Sequence, residues 1–255
     1  MPFTPSHIAA VLPFVSSSRL RRVLDPWALA FGAMVPDLPI FLPFLPEYGD
    51  WHSWQGVLTL DLLSAVALVY LFHGVLREPL IALLPPSLSG RAASLAPSLR
   101  LLPIALGAVA GSATHVLWDS FTHSYSVEVW GLAFFETRVL DLLPVYRALQ
   151  YLSSAVGLAL VVGWVLRGLA RLPAVPAPAH LSTPWPVRRG ILLGAVVATV
   201  VGAGVWPLID HPEHGSLASV VTRTGAGTVI GFSLLLLGYA AVWQVRRRMA
   251  VSEGA

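Results

Sequence analysis

Residues 114 to 124 read Thr-His-Val-Leu-Trp-Asp-Ser-Phe-Thr-His-Ser and end an apolar run that begins near Leu101. His115, Asp119 and His123 are strong metal-ligand types. On a helix they fall at i, i+4 and i+8, within one stripe about 80° wide. Such a stripe at the end of a membrane-length helix is costly in lipid and needs partners. The first half of the chain offers three more residues of the same kind that topology does not explain: His7, Asp37 and His52. Four His and two Asp make a nitrogen and oxygen ligand set suited to zinc, with manganese as a second candidate. The chain has no cysteine, so disulfides and thiolate metal sites are excluded. Six ligands exceed the three of an open catalytic zinc. They suffice for one ion or for two, where one activates water and both steady the leaving oxygen. The competing reading is a metal-free network of paired His and Asp that fixes helix packing, although that many polar groups are hard to satisfy in a low dielectric.

Each candidate has a local setting. Asp37 lies in Met34-Val-Pro-Asp37-Leu-Pro39, where two prolines bracket an acid inside an apolar segment. A helix should break there, and a broken helix in a membrane is tolerated where it lines a cavity or is buried in protein. The plainer alternative is an aspartate capping a restarted helix. His52 sits between Trp51 and Trp54, which by itself suits an interfacial loop. His7 falls in the first turn of a short N-terminal helix that Thr4 or Ser6 could cap. If that helix descends to the Arg19–Arg22 cluster, His7 reaches the end of the membrane where His115 lies. If it rests on the inner surface, His7 is on the wrong side. Asp61, Thr114 and Thr122 are candidates to orient the ligands from behind. Asp210-His-Pro-Glu-His214 reads as an exposed polar turn.

The elements that must carry these residues are transmembrane helices. Of the residues, 56% are hydrophobic and 11% charged, the composition of a polytopic membrane protein. Apolar windows at Trp27–Pro46, Val57–Leu76, Leu101–Thr122, Leu152–Leu166, Gly190–Ile209 and Ala226–Val245 predict six spanning helices. With the short N-terminal half-depth helix they form an all-α bundle in one membrane domain over residues 1–255. Residues 1–149 are the metal-site half. Residues 150–255 supply supporting helices, with a Pro/Ala linker at 167–189. Residues 77–100 form a second linker, and 125–149 an outer loop or interfacial helix with Trp130 and Phe134-Phe135 dipping toward lipid. All basic residues are Arg. Segments 1–26, 77–100, 167–189 and 246–255 hold every Arg except Arg138, Arg147 and Arg223, which places those segments and the C-terminus in the cytoplasm. The pI near 9.7 therefore reflects topology, and no nucleic acid partner is implied. Polar residues at membrane depth all lie in the first half, which argues against an inverted-repeat transporter.

Met1-Pro-Phe-Thr-Pro-Ser-His7, Met34-Val-Pro-Asp37, His52-Ser53 and Thr114-His-Val-Leu-Trp-Asp-Ser-Phe-Thr-His123 together resemble a bacterial membrane family catalogued as domain of unknown function 4184. The resemblance covers most of the chain and implies a bacterial inner membrane protein. The motif order is also similar to the membrane-bound metal-dependent hydrolases and, more distantly, to the zinc-dependent phospholipases C. That similarity implies that His7, Asp37, His52, His115, Asp119 and His123 are all ligands. The chain departs from the phospholipase pattern in having no clear later His-x-x-x-Glu pair.

The function expected from this set is metal-assisted hydrolysis of a phosphoester or ester in a lipid-like substrate, with Asp37 or Asp119 taking the proton. A metal or proton carrier and a structural membrane protein are the alternatives. A carrier would need polar lining toward the cytoplasmic side, where only His73 offers any.

Overall fold

A computed structural model describes residues 3–97, 99–210 and 217–253. The described chain is helical apart from one small hairpin. Its main helices are α1 (Ile8–Ser16), α2 (Pro26–Gly32), α3 (Trp54–Leu83), α4 (Leu101–Thr122), α5 (Val145–Arg171), α6 (Trp185–Ile209) and α7 (Leu217–Glu253). Five of these, α3 to α7, are long and apolar enough to cross a membrane. The protein is thus an all-α membrane bundle.

The first apolar window differs from expectation. Trp27–Pro46 is not a full span. α2 stops at Gly32, a 3₁₀ turn covers Val35–Asp37, and a single turn follows at Leu38–Phe41. Pro36 and Pro39 are the cause, because neither can donate to the helical ladder. At the other extreme, Leu152–Leu166 underestimates α5, which runs from Val145 to Arg171. Its ends carry Arg147, Gln150, Arg167 and Arg171, and a hydropathy window trims such polar turns.

The chain folds as two compact units. One comprises Met1–Pro39, Phe44–Tyr70 and Ser98–Ala170; the other comprises Ile40–Pro43, Leu71–Pro97 and Arg171–Ala255. In the second unit α6 and α7 form an antiparallel pair. Gly202 and Gly231 bring their backbones against Gly227 and Ala198, as small residues do between membrane helices.

The first unit holds every residue of the His/Asp set. Its frame is the packing of α2 against α4. Gly107 faces the Asp25 carbonyl, Gly111 faces Leu29 and Ala33, and His115 bonds the Ala33 carbonyl. The pairing advances four residues on each helix at a constant offset of 82, so the two helices run parallel. Gly107 and Gly111 are required here, since a methyl at either would strike backbone atoms of α2. Ala28, Val35, Ala65, Val69, Ile104 and Ala108 fill the space between α2, α3 and α4. Val11, Val15, Leu29 and Ala33 seal α1 onto α2. α1 and α2 thus make a short hairpin, with Arg19, Arg21 and Arg22 in its turn.

Gly111→Ala should force α2 away from α4, because the new methyl would overlap the Leu29 carbonyl and lie 2.9 Å from the Ala33 nitrogen. The expected loss is about 1–3 kcal/mol, the usual scale of overpacking. It would be read as a fall in the thermal midpoint of the detergent-solubilised protein. Gly163→Ala, where nothing lies within 4 Å of the added carbon, should leave that midpoint unchanged or raise it, as alanine favours a helix interior over glycine.

Candidate metal centre

His115 and Asp119 occupy successive turns of α4 and are fully buried. His52 lies just before α3, at the end of the single turn Tyr48–Trp51. Asp37 ends the 3₁₀ turn beyond α2, and His7 ends the 3₁₀ turn Thr4–His7 that leads into α1. Four separate pieces of chain therefore deliver side chains to one point near the C-terminal end of α4.

The four innermost groups are Asp37, His52, His115 and Asp119, whose ligand atoms all lie within 4.8 Å of one another. His52 Nε2 is 3.3 Å from His115 Nε2. Asp119 Oδ2 is 3.4 Å from both nitrogens. Asp37 Oδ1 lies 3.5 Å from His115 Nε2 and 3.8 Å from His52 Nε2. Ligands about 2.0–2.1 Å from a tetrahedral zinc stand roughly 3.3–3.5 Å apart. Five of the six edges of this tetrahedron are at or close to that spacing.

The proton positions show what a cation would relieve in such a group. His115 Nδ1 donates to the Ala33 carbonyl at 2.8 Å, and His52 Nδ1 donates to the Tyr48 carbonyl at 3.1 Å. A carbonyl can only accept, so each ring carries a proton on Nδ1, and in its neutral form turns the Nε2 lone pair inward. Two nitrogen lone pairs and two carboxylate oxygens then face each other with no hydrogen between them. One added proton would relieve a single edge. A divalent ion would relieve all of them, and the backbone carbonyls behind the rings are the outer partners that ligand histidines use. The donor set fits a borderline divalent ion.

Further polar atoms surround this core. His7 stacks on His115 with ring centroids 3.8 Å apart, and its Nε2 lies 3.4 Å from Asp119 Oδ1. The side chain is thereby at the same end of α4 as the other candidates. Burial, and next the adjacent His115, push the His7 imidazole down to about 3, which keeps it neutral. His123 does not continue the α4 stripe: the helix ends at Thr122 and His123 is extended. Its Nδ1 still reaches the Asp119 carbonyl at 3.0 Å and lies 3.7 Å from Asp119 Oδ2. Burial lowers the affinity of His123 for a proton as well. Both nitrogens of His7, Nε2 of His123, and Oδ1 of Asp37 and of Asp119 are buried without a hydrogen bond.

Three residues expected to steady the ligands do something else. Asp61 accepts from the Ser112 hydroxyl, and its other oxygen has no hydrogen bond. Thr114 donates to Gly111 and Thr122 to Trp118, each along α4 itself. The supporting contacts come instead from Thr4 and Tyr48. Thr4 Oγ1 donates to Asp37 Oδ2 at 2.6 Å, which aims Oδ1 at the histidines. Tyr48 stacks on His52 at 3.8 Å and its hydroxyl points to Asp119 Oδ2 at 3.4 Å. Burial first, then the charges of Asp37 and Asp119, raise the Tyr48 phenol far above its ordinary value, so it remains a donor. Tyr125, stacked on His123, is raised for the same reasons. Tyr48 had a signal in the sequence, since it stands four residues before His52. Thr4 did not, because its partner is 33 residues away. Asp210 lies at the end of α6, and His211 to His214 fall outside the described residues.

Elemental analysis of the purified protein should find one or two zinc or manganese ions per chain, lost in His115→Ala and Asp119→Ala. Thr4→Val should fold normally, yet weaken the metal roughly 10- to 100-fold in a chelator competition, the usual cost of removing a ligand's outer partner.

Comparison with curated proteins and with solved structures finds no match. The family described as Domain of unknown function (DUF4184) matches residues 1–243, and the chain belongs to it.

Proposed function

We propose that this protein is a membrane-embedded hydrolase. In this reading Asp37, His52, His115 and Asp119 hold a divalent ion, zinc in the first instance, and the bond cleaved is a phosphoester or ester of a lipid-like substrate. The observation that carries the reading is the surplus of unpaired polar atoms beside the four-ligand core. An ion that only staples helices would need its own ligands satisfied and nothing more. Here both nitrogens of His7, Nε2 of His123 and Oδ1 of Asp119 remain buried without a hydrogen bond, His7 Nε2 and Asp119 Oδ1 meeting only as a 3.4 Å ion-pair contact. Unpaired buried polar atoms cost free energy, and reacting groups are where such a cost recurs.

When bound, the ion would supply Lewis-acid polarisation of the scissile group and a more acidic water. The residues of the chain provide the rest. Asp119 has one oxygen in the core and a second, Oδ1, free to take a proton from the attacking water. His7 Nε2, 3.4 Å from that oxygen, is the next group along. Tyr48 keeps its hydroxyl proton beside Asp119 and is placed to donate to the oxygen that gains charge. Asp37, fixed by Thr4, orients rather than reacts.

The substrate class rests on location. The centre lies between the end of α4 and the start of α3, which for membrane-spanning helices supports a position near one face of the bilayer. The Arg distribution supports assigning that face to the outside of a bacterial cytoplasmic membrane, with the N-terminal hairpin turn and the C-terminus inside. A buried centre at that depth is reached most directly by a molecule that travels in the leaflet.

The four-ligand geometry also suits a purely structural ion, and one experiment separates the two. Zinc-loaded protein in mixed micelles would be offered phosphatidylcholine, phosphatidylglycerol and a lipid monophosphate. Turnover of one class, abolished by chelation, restored by zinc and absent in His115→Ala, is the expected result. Tyr48→Phe should keep its metal and lose roughly 10- to 100-fold in kcat, as removal of a donor to a charged group does. Full metal occupancy with no turnover of any ester would make the ion structural.

A further inference from the structure

The segment between α4 and α5 exposes an unusual amount of apolar surface for a stretch that does not span. Leu140 is 84% exposed, Leu142 68% and Phe134 61%, with Leu132 also exposed. On α3 to α7 such exposure is expected, because lipid covers it. Here the chain forms a short helix (Ser126–Trp130), a 3₁₀ turn (Ala133–Glu136) and the hairpin of β1 (Arg138–Val139) with β2 (Leu143–Pro144).

We propose that residues 129–142 form a platform inserted in the membrane interface beside the metal centre, and that the partner covering them is the lipid leaflet. Three observations converge on lipid. First, the segment is folded back against a transmembrane helix. The Trp130 indole donates to the Ser120 carbonyl and hydroxyl, both at 3.1 Å, and its ring stacks on Phe121 at 4.4 Å. Phe135 is buried, with its ring centroid 6.3 Å from that of Phe121. Ser120 and Phe121 belong to the last turn of α4, so the platform sits at the depth of that turn rather than above it.

Second, the tip has few free backbone groups. The Leu142 nitrogen donates to the Val139 carbonyl at 3.0 Å, and the Val145 nitrogen to the Thr137 carbonyl at 3.0 Å. The Arg138 guanidinium donates to the carbonyls of Asp141 at 3.2 Å and Leu142 at 2.8 Å. Internal satisfaction of this kind is the condition for backbone to enter an apolar phase. Third, the turn carries the wrong residue for water. Leu140 and Asp141 are both left-handed, at φ 52° and 57°. A tight hairpin of this form prefers Asn-Gly or Asp-Gly. A leucine held there at a backbone cost, with its side chain pointing out, is compensated in lipid and not in water.

The platform and the metal centre share an end of α4. The Ser126 hydroxyl donates to the His123 carbonyl at 2.5 Å and accepts the His123 N–H at 3.3 Å. Inserted residues at this position would hold the leaflet against the site mouth. Charge does not do the holding, because Glu128, Glu136 and Asp141 outnumber Arg138. Insertion should therefore gain nothing from anionic lipid. The proposal stands on packing and exposure, and it holds whether or not the metal centre hydrolyses anything.

The cysteine-free chain makes the test direct. Single cysteines at Phe134, Leu140, Glu136 and Leu106 would each carry a nitroxide in the full-length protein, reconstituted in phosphatidylcholine with and without phosphatidylglycerol. Leu106, on the exposed face of α4, is the lipid reference. Collision rates with oxygen and with a water-soluble nickel chelate report depth. Expected are oxygen-to-nickel ratios at 134 and 140 near that of 106, several-fold above that of 136, and not raised by phosphatidylglycerol. Ratios at 134 and 140 equal to that of 136 would overturn the proposal. Spin–spin broadening at 134 and 140, removed by dilution with unlabelled protein, would overturn it too and assign the surface to a second copy of the chain.

Discussion

The close parallel packing of α2 on α4 is the constraint on which the rest of the first unit depends. Every fourth residue of α4, from Gly107 through Gly111 and His115 to Asp119, faces α2. The first two have no side chain, and that absence lets the α2 backbone approach. The third then finds a backbone carbonyl within hydrogen-bond reach. The fourth meets Asp37, which has arrived on the same stride, four residues past Ala33. Specificity in this part of the protein is therefore set by missing atoms as much as by present ones. Apolar area supplies little drive between helices already in lipid, so shape and polar contacts have to decide the register.

A cluster of two carboxylates and four imidazoles would be hard to hold in such a frame without a counter-charge. Asp37, His115 and Asp119 are fully buried, and burial of an unpaired carboxylate is among the costliest features a membrane protein can carry. A divalent cation held here would repay desolvation that the helices impose, which would link its binding to completion of the fold. Helix ends assist. α2 and α4 both direct their C-terminal carbonyl ends at the cluster, where the partial negative charge of a helix favours a cation. The start of α3 opposes them, and there the Gly56 amide is held by the Ser53 hydroxyl instead.

What the sequence reveals follows from how locally each contact is encoded. His115 and Asp119 are legible because one helix places them a turn apart. Asp37 is legible because two prolines around an acid in an apolar segment announce a break. The membrane class follows from composition alone. The first window misleads in length, since average hydropathy over Trp27–Pro46 is blind to missing amide hydrogens. His123 misleads in geometry: the spacing suits a helix, but the chain leaves the helix at Thr122, where the Ser126 side chain takes over the His123 amide. Contacts between distant segments leave no periodic trace. The Thr4 to Asp37 bond and the stacking of His7 on His115 exist because α1 and α2 fold as a hairpin, and hairpin pairing is not written in either segment alone.

The broken helix explains how a proline that offers no ligand atom of its own reaches the chemistry. In an uninterrupted helix the Asp37 amide would donate to the Ala33 carbonyl, four residues back. Pro36 removes a donor and tightens the chain into a 3₁₀ turn, so the Asp37 amide bonds Met34 instead, at 3.2 Å. The Ala33 carbonyl is left without its usual partner, as the last carbonyls of any helix are. His115 Nδ1 occupies that vacancy at 2.8 Å. The bond fixes which nitrogen of His115 holds the proton, and so which one faces the centre. One imino acid thus frees a carbonyl, the carbonyl selects a tautomer, and the tautomer presents a lone pair where two carboxylates converge. A straight helix of the same hydropathy would span the membrane better and leave His115 with no outer partner to orient it.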